Sequence, residues 1–220
     1  MVYKVGTSLS DYLVGSNFKD ILHGMNGNDR MYGQGGNDIM RGGNGNDSLY
    51  GGDGNDELYG GYNDDFLLGG NGNDELEGSH GNDILYSGAG HDELEGGDGN
   101  DRLVSYHGND DLEGGNGSDS MNGGTGNDTL EGGRGLDWLT GGTGADVFEF
   151  ERGDGRDFIT DFQNGVDRVE LDDFSAAQLR SAISGAQQRG ADLVLTLSSD
   201  TVITFRSMDK AELDMNDFLL

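Results

Sequence analysis

The chain has 220 residues, of which 42 are acidic and 13 basic, giving a formal charge of −29, with 43 glycines and neither proline nor cysteine. That composition argues against an ordinary globular core over the whole length, against nucleic acid as a partner, which needs clustered Lys and Arg, and against any disulfide or thiolate zinc site. The excess negative charge calls instead for multivalent cations held by oxygen, which means calcium or magnesium.

Residues 1–5 form a short lead-in. Met1 to Ser10 contains one lysine and no apolar run of the kind a cleaved signal peptide needs. No stretch approaches the ~20 apolar residues of a membrane span. The expectation is a chain without a membrane span that, if exported, leaves the cell by another route.

From Gly6 to Glu149 a nine-residue period runs through sixteen repeats without insertion or deletion, in plain form GGNGNDSLY (Gly42 to Tyr50) and GGDGNDELY (Gly51 to Tyr59). The sixth position is Asp in all sixteen repeats, and the eighth is Leu, Met or Phe in all sixteen. Glycine fills the first position fourteen times and the fourth thirteen times. Glycines let the chain turn tightly with carbonyl oxygens pointing inward. The last three residues of each repeat suit a short strand with the eighth side chain inside. One repeat buries a single apolar side chain, so strands must alternate between two sides of a flattened coil, and repeat n stacks on repeat n+2 at ~4.8 Å.

This stacking brings aspartates into two columns. Carboxylates ~5 Å apart repel by roughly 1 kcal/mol in water and roughly 3 kcal/mol at an effective dielectric of 20, and a calcium ion between successive turns reverses that sign. The expected carboxylate ligands are Asp29, Asp38, Asp47, Asp56, Asp65, Asp74, Asp83, Asp92, Asp101, Asp110, Asp119, Asp128, Asp137 and Asp146. Backbone carbonyls are expected from Gly27, Gly36, Gly45, Gly54, Gly72, Gly81, Gly90, Gly99, Gly108, Gly117, Gly126, Gly135 and Gly144. Two edges of eight turns have seven gaps each, an upper bound of fourteen ions. Asp11 and Asp20 are expected to be weak or empty sites, because Leu9 and Phe18 replace the fourth glycine and Lys19 adds positive charge. Leu9 and Phe18 are expected to cover the open end. Asn63 weakens one internal pair, and Met25, Gln34 and Tyr106 put Cβ atoms into turns at the second position.

Sorting the outward positions by coil parity separates two faces. One carries Tyr32, Tyr50, Leu68, Tyr86 and Val104, with Phe66, Ile84 and Trp138. The other carries Glu57, Glu75, Glu93 and Asp111 beside Glu77, Glu95, Glu113, Glu131 and Glu149. The apolar face is expected to meet the carboxyl-terminal region, a second copy (a homo-oligomer) or a cell-surface polysaccharide.

Residues 150–220 depart from the period. Asp157 to Phe162, Val166 to Leu171, Leu193 to Leu197 and Thr201 to Arg206 alternate as strands. Ser175 with Gln178 forms a capping-box signature that predicts a short helix over Ser175 to Ser184. This region is expected to cap the roll's apolar end, with Asp154 and Asp157 as candidate ligands of one more calcium. No catalytic set stands out. His23, His80, His91 and His107 lack a zinc-site spacing and read as solvated turn residues, so the chain is expected not to be an enzyme.

The pattern G-G-x-G-x-D-x-U-x, at Gly42 to Tyr50, Gly51 to Tyr59, Gly69 to Glu77, Gly96 to Val104 and Gly123 to Glu131, resembles the RTX (repeats-in-toxin) calcium-binding proteins. The resemblance implies an all-β fold: a right-handed parallel β-roll, two repeats per coil, followed by a small mostly-β cap with one short helix. GDGRDFITDF and GVDRVEL look like the segment that follows the repeats in that family. Asn216 to Leu220 is similar to the uncleaved carboxyl-terminal signal read by the bacterial type I secretion apparatus. The implied function is that of an extracellular protein that folds on binding calcium after secretion. The alternative is a carboxyl-terminal secretion, folding or substrate-binding module of a larger secreted enzyme or adhesin.

Overall fold

A computed structural model describes residues 1–220 and shows a parallel β-solenoid. Stacking follows the two-repeat coil: Leu85 pairs with Leu67 on one side and Leu103 on the other, and Leu94 sits likewise between Leu76 and Leu112. Six-residue strands such as Ile84–Ala89 and Glu93–Asp98 span the last three positions of one repeat and the first three of the next. Within each strand alternate side chains turn in and out, so the eighth and first positions face inward and the seventh and ninth outward.

The interior is a double ladder of eighth-position side chains. Leu22 through Phe148 are at most 1% exposed and join one apolar cluster. At the amino-terminal end Leu13 is only partly buried. Leu9 and Phe18 do not cover that end, contrary to expectation: their side chains are 73% and 71% exposed. Only their backbones lie close to the next coil, against Gly27 and Gly36.

The second position needs a left-handed backbone. Gly43 and Gly52 have φ of 114° and 115°, and Met25, Gln34, Ser79 and Tyr106 adopt the same region at 88°, 80°, 75° and 74°. A side chain there costs roughly 1–2 kcal/mol. The turns are not broken, since Met25 still pairs with Gly43, Gln34 with Gly52 and Tyr106 with Gly88.

The period ends at Glu149, but the stack does not. Gly155–Ile159 pairs in parallel with the strand holding Trp138 and Leu139, and Arg168–Leu171 pairs with Val147–Phe150. Thr201–Phe205 then lies on Gly155–Ile159, and Phe218–Leu219 on Arg168–Leu171. An antiparallel hairpin, Gln187–Arg189 with Asp192–Thr196, covers the edge of Thr201–Phe205. The helix Ala176–Gly185 starts from the expected Ser175–Gln178 capping box and buries Leu179 and Ala182. Phe148, Phe150, Ile159, Val169, Leu195, Ile203 and Phe205 belong to the same cluster as the leucine ladders. The carboxyl-terminal third thus closes the roll by prolonging its core.

Candidate metal centres

Each turn presents its sixth-position aspartate inward, and the two carboxylate oxygens meet different fates. The Asp29 amide donates to Oδ1 of Asp47 at 2.7 Å, Asp47 to Asp65 at 2.7 Å, and Asp65 to Asp83 at 2.7 Å. The other edge repeats the arrangement from Asp38 to Asp56 at 2.8 Å and onward to Asp146. One oxygen of each carboxylate is therefore fixed by the preceding coil. Oδ2 is buried without any hydrogen-bond partner in Asp29, Asp38, Asp47, Asp56, Asp65, Asp74, Asp83, Asp92, Asp101, Asp110, Asp119, Asp128, Asp137, Asp146 and Asp157. Burial without partners is costly for an anion. Desolvation, opposed by the inter-coil amide, pushes Asp65 up to about 8 and Asp38, Asp74 and Asp119 up to about 7.

The first-position glycine makes room for this oxygen. A Cβ on Gly24 would lie 2.2 Å from Oδ2 of Asp29 and 2.6 Å from the carbonyl oxygen of Gly42, one coil on. Gly42 repeats the relation with Asp47 and Gly60, and Gly96 with Asp101 and Gly114. The carbonyls bordering the unpaired oxygens are thus those of the first position, which the sequence reading did not single out. The fourth-position carbonyls point along the stack: the oxygens of Gly27, Gly36 and Gly54 lie 2.3, 2.3 and 2.1 Å from where a Cβ of Gly45, Gly54 and Gly72 would stand. Asn63 takes the fourth position with φ of 75°, and Asp65 and Asp83 beside it keep unpaired oxygens. Three His, Asp or Glu side chains converge nowhere. A cation here would take carboxylate oxygens from the turns and complete its shell from main-chain carbonyls, as hard oxygen-seeking cations do.

Both ends of the stack differ. Oδ2 of Asp11 accepts from the amide and hydroxyl of Thr7 at 2.6 and 2.9 Å, and Oδ2 of Asp20 from those of Ser16 at 2.5 and 2.8 Å. Burial raises the Asp20 carboxyl, but the Ser16 and Val2 hydrogen bonds and the amino terminus outweigh it and hold it below its ordinary value. At the far end Oδ2 of Asp167 takes the Gln163 amide at 2.7 Å. These carboxylates are closed by the protein itself. Oδ2 of Asp154 likewise accepts the Glu151 amide, at 2.5 Å.

A second ladder was missed from the sequence. Fifth-position side chains accept the fifth-position amide of the next coil: Asn28 from Asn46 at 3.2 Å, Asn82 from Asn100 at 3.0 Å, and Asn109 from Asn127 at 2.9 Å. The recurrence of Asn before Asp was the available signal. His91 serves in the same ladder, its Nδ1 accepting from Asn109 at 2.8 Å, and His107 meets Thr125 at 2.9 Å. Each of these histidines has its partner on the next coil.

Tyr32 stacks on Tyr50 with ring centres 4.7 Å apart, followed by Phe66 at 5.6 Å, Tyr86 at 5.8 Å and Tyr106 at 6.0 Å. Tyr32, Tyr50, Phe66, Leu68, Tyr86 and Val104 are half-buried, and Ile84 is 38% exposed. Trp138 shares the sheet face but not this ladder, because Ser120 and Asn122 intervene; it stacks on Phe158 at 5.5 Å. On the opposite face Glu95 pairs with Glu77 and Glu113, and the column runs through Glu131 and Glu149 to Glu170. Burial, then neighbouring carboxylates, push Glu131 up to about 7.

Parallel coils with columns of buried, half-satisfied carboxylates along both lines of turns define a cation-binding β-solenoid. The model of the RTX calcium-binding nonapeptide repeat matches residues 5–40, 33–61, 59–94, 86–121 and 122–159. The chain belongs to that family. Among solved structures it is similar to the extracellular lipase LipA from Serratia marcescens, with 18% identity and a TM-score of 0.42 over 99% of this chain and 40% of the lipase. It is also similar to the AlgE6R3 subunit of the Azotobacter vinelandii mannuronan C5-epimerase, with 24% identity and a TM-score of 0.32 over 68% of this chain and 78% of that one. The chain thus spans less than half the length of the lipase. No curated protein matches it.

Proposed function

We propose that this chain is an extracellular calcium-binding protein, not an enzyme, whose folding is switched on by calcium outside the cell. The observation that carries this reading is the unpaired, buried Oδ2 of every repeat aspartate from Asp29 to Asp146. Each column contributes seven such carboxylates, which border six gaps; twelve ions between the repeats satisfy them all. Calcium supplies the positive charge that these turns lack.

Extracellular calcium modules bind at ~10⁻⁴ to 10⁻³ M. In a cytosol with far less free calcium, the aspartates repel and the glycine-rich chain stays open, the form a secretion channel threads. Outside, binding and folding are one event. The type I route accords with how the carboxyl-terminal segment folds: Asp217 is 2% exposed, Phe218 is 7% exposed, and Phe218–Leu219 pairs with Arg168–Leu171. A signal in that segment is readable only before the chain folds. The aromatic ladder reads as an inter-coil adhesive, since its rings pack chiefly on one another.

Far-UV circular dichroism during a calcium titration from chelator to ~10 mM, with magnesium as control, tests the switch. A steep gain of β signal with calcium and not magnesium is expected. Full structure in chelator would overturn it.

A further inference from the structure

We propose that Asp137 and Asp157 hold a further divalent cation at the junction of roll and cap, and that this ion latches the cap in place. The inference rests on the calcium reading of the repeats and extends it past their period.

Two extra residues, Glu151 and Arg152, precede Gly153, yet the chain returns to register. Gly155 pairs with Gly135, and its φ of 111° and its approach to the Gly135 carbonyl oxygen, 2.1 Å from a Cβ position, reproduce the fourth glycine of a repeat. Asp157 then falls in the aspartate column, its Oδ1 accepting the Asp137 amide at 3.1 Å. Its Oδ2 and that of Asp137 are unpaired, and the two residues are 1% and 0% exposed. Burial, then the charge of Asp137, push the Asp157 carboxyl up to about 9. Asp154 has another task. Its Oδ2 takes the Glu151 amide and its carbonyl takes the Gly135 amide at 2.6 Å, so it shapes the inserted turn.

The latch follows from the pairing. Gly155–Ile159 carries Asp157 and pairs with Thr201–Phe205, the strand on which the hairpin of the cap is built. At this edge roll and cap share the backbone bonds of Gly135 to Asp154, Phe158 to Asp137 and Thr160 to Leu139, and the stack of Trp138 on Phe158. Two adjacent buried carboxylates cannot both ionise here unaided; one cation between them lets both ionise and ties the strand of the cap to the roll. Trp138, the only tryptophan, directly follows one ligand and stacks on the residue following the other.

The test is an ion count by native mass spectrometry on the full chain with D157N, D154N and D119N, together with hydrogen exchange of Thr201–Phe205 in calcium. Asp157 borders one gap and Asp119 two. The expected losses are therefore one ion in D157N, two in D119N and none in D154N, with exchange in D157N accelerated about tenfold. A wild-type count and wild-type protection in D157N overturn this inference alone. An ion-free wild-type chain overturns the calcium reading and this inference with it. A D157N chain that fails to fold leaves the decision to terbium in D119N, where the gap between Asp137 and Asp157 is the one left beside Trp138. Tryptophan-sensitised emission that persists there supports the site, and its loss overturns it.

Discussion

The Asp47 amide donates to Oδ1 of Asp65 at 2.7 Å, while Oδ2 of Asp65 is buried with no partner. One carboxylate therefore does two jobs: it accepts from the coil before it and offers a bare anionic oxygen to whatever fills the turn. Replacing it by Asn separates the jobs, because the amide oxygen keeps the inter-coil bond and the charge disappears. D65N is expected to hold more β structure in chelator than the wild type, yet to need about tenfold more calcium, ~1.4 kcal/mol, to complete folding. Circular dichroism across a calcium titration checks both halves. A variant that loses structure in chelator would show that the charge itself is stabilising.

The same carboxylates set a pH dependence of unusual sign. Asp38, Asp65, Asp74 and Asp119 are pushed up to about 7, 8, 7 and 7, chiefly by desolvation, against an ordinary value of 3.8. A raised carboxyl favours the folded chain at low pH, and that contribution is lost as pH rises through the folded value. In chelator, acidification from about pH 8 to about pH 5 should therefore increase β signal and thermal stability. With calcium present the dependence reverses, because protons compete with the ion. Stability in chelator that rises with pH would contradict the assignment.

Much of this was legible because the period is strict. Asp at every sixth position and a large apolar residue at every eighth fix the columns, the interior and the two-repeat coil without any reference to tertiary contacts. What the period could not convey was geometry along the stack. The first glycine looked like a turn former, whereas at Gly24 and Gly42 it makes room for Oδ2; the Asn of the fifth position carried no expectation, yet it forms a ladder of its own. Leu9 and Phe18 were read from hydrophobicity alone, but an outward-facing position overrides side-chain type. The insertion at Glu151–Arg152 hid the continuation, because register is recovered by hydrogen bonding of Gly155 and Asp157 and not by spacing.

Two repeats carry serine where the others have the first glycine. The Ser87 hydroxyl donates to the Ser105 carbonyl at 3.0 Å, and the Ser105 hydroxyl to Gly123 at 2.5 Å, both fully buried. These bonds join successive coils on a metal edge without any metal. Coils around Asp92 and Asp110 should therefore show the slowest amide exchange when calcium is limiting, and the double variant S87G/S105G should lose that protection, at about 1 kcal/mol per hydroxyl. Uniform exchange along the wild-type roll at limiting calcium would rule the staples out.

Ser87 also shows that the fold admits a Cβ at the first position, which makes Gly96 a sharp probe. A Cβ on Gly96 meets Oδ2 of Asp101 at 2.6 Å and the Gly114 carbonyl at 2.7 Å, closer than real contacts allow, so the carboxylate must move. In G96A it moves without compensation: the methyl group crowds the bare oxygen and offers it nothing. In G96S the hydroxyl reaches the next carbonyl, as at Ser87, and acts as a staple. The expected order of stability in chelator is G96S above wild type above G96A, with gaps of about 1 kcal/mol. In saturating calcium wild type should lead, since both substitutions intrude on the turn where the ion bridges Asp101 to its neighbours. Thermal melts in the two conditions give the four differences needed. If G96A and G96S behave alike in chelator, steric intrusion alone governs the position and the serine staples have no energetic weight.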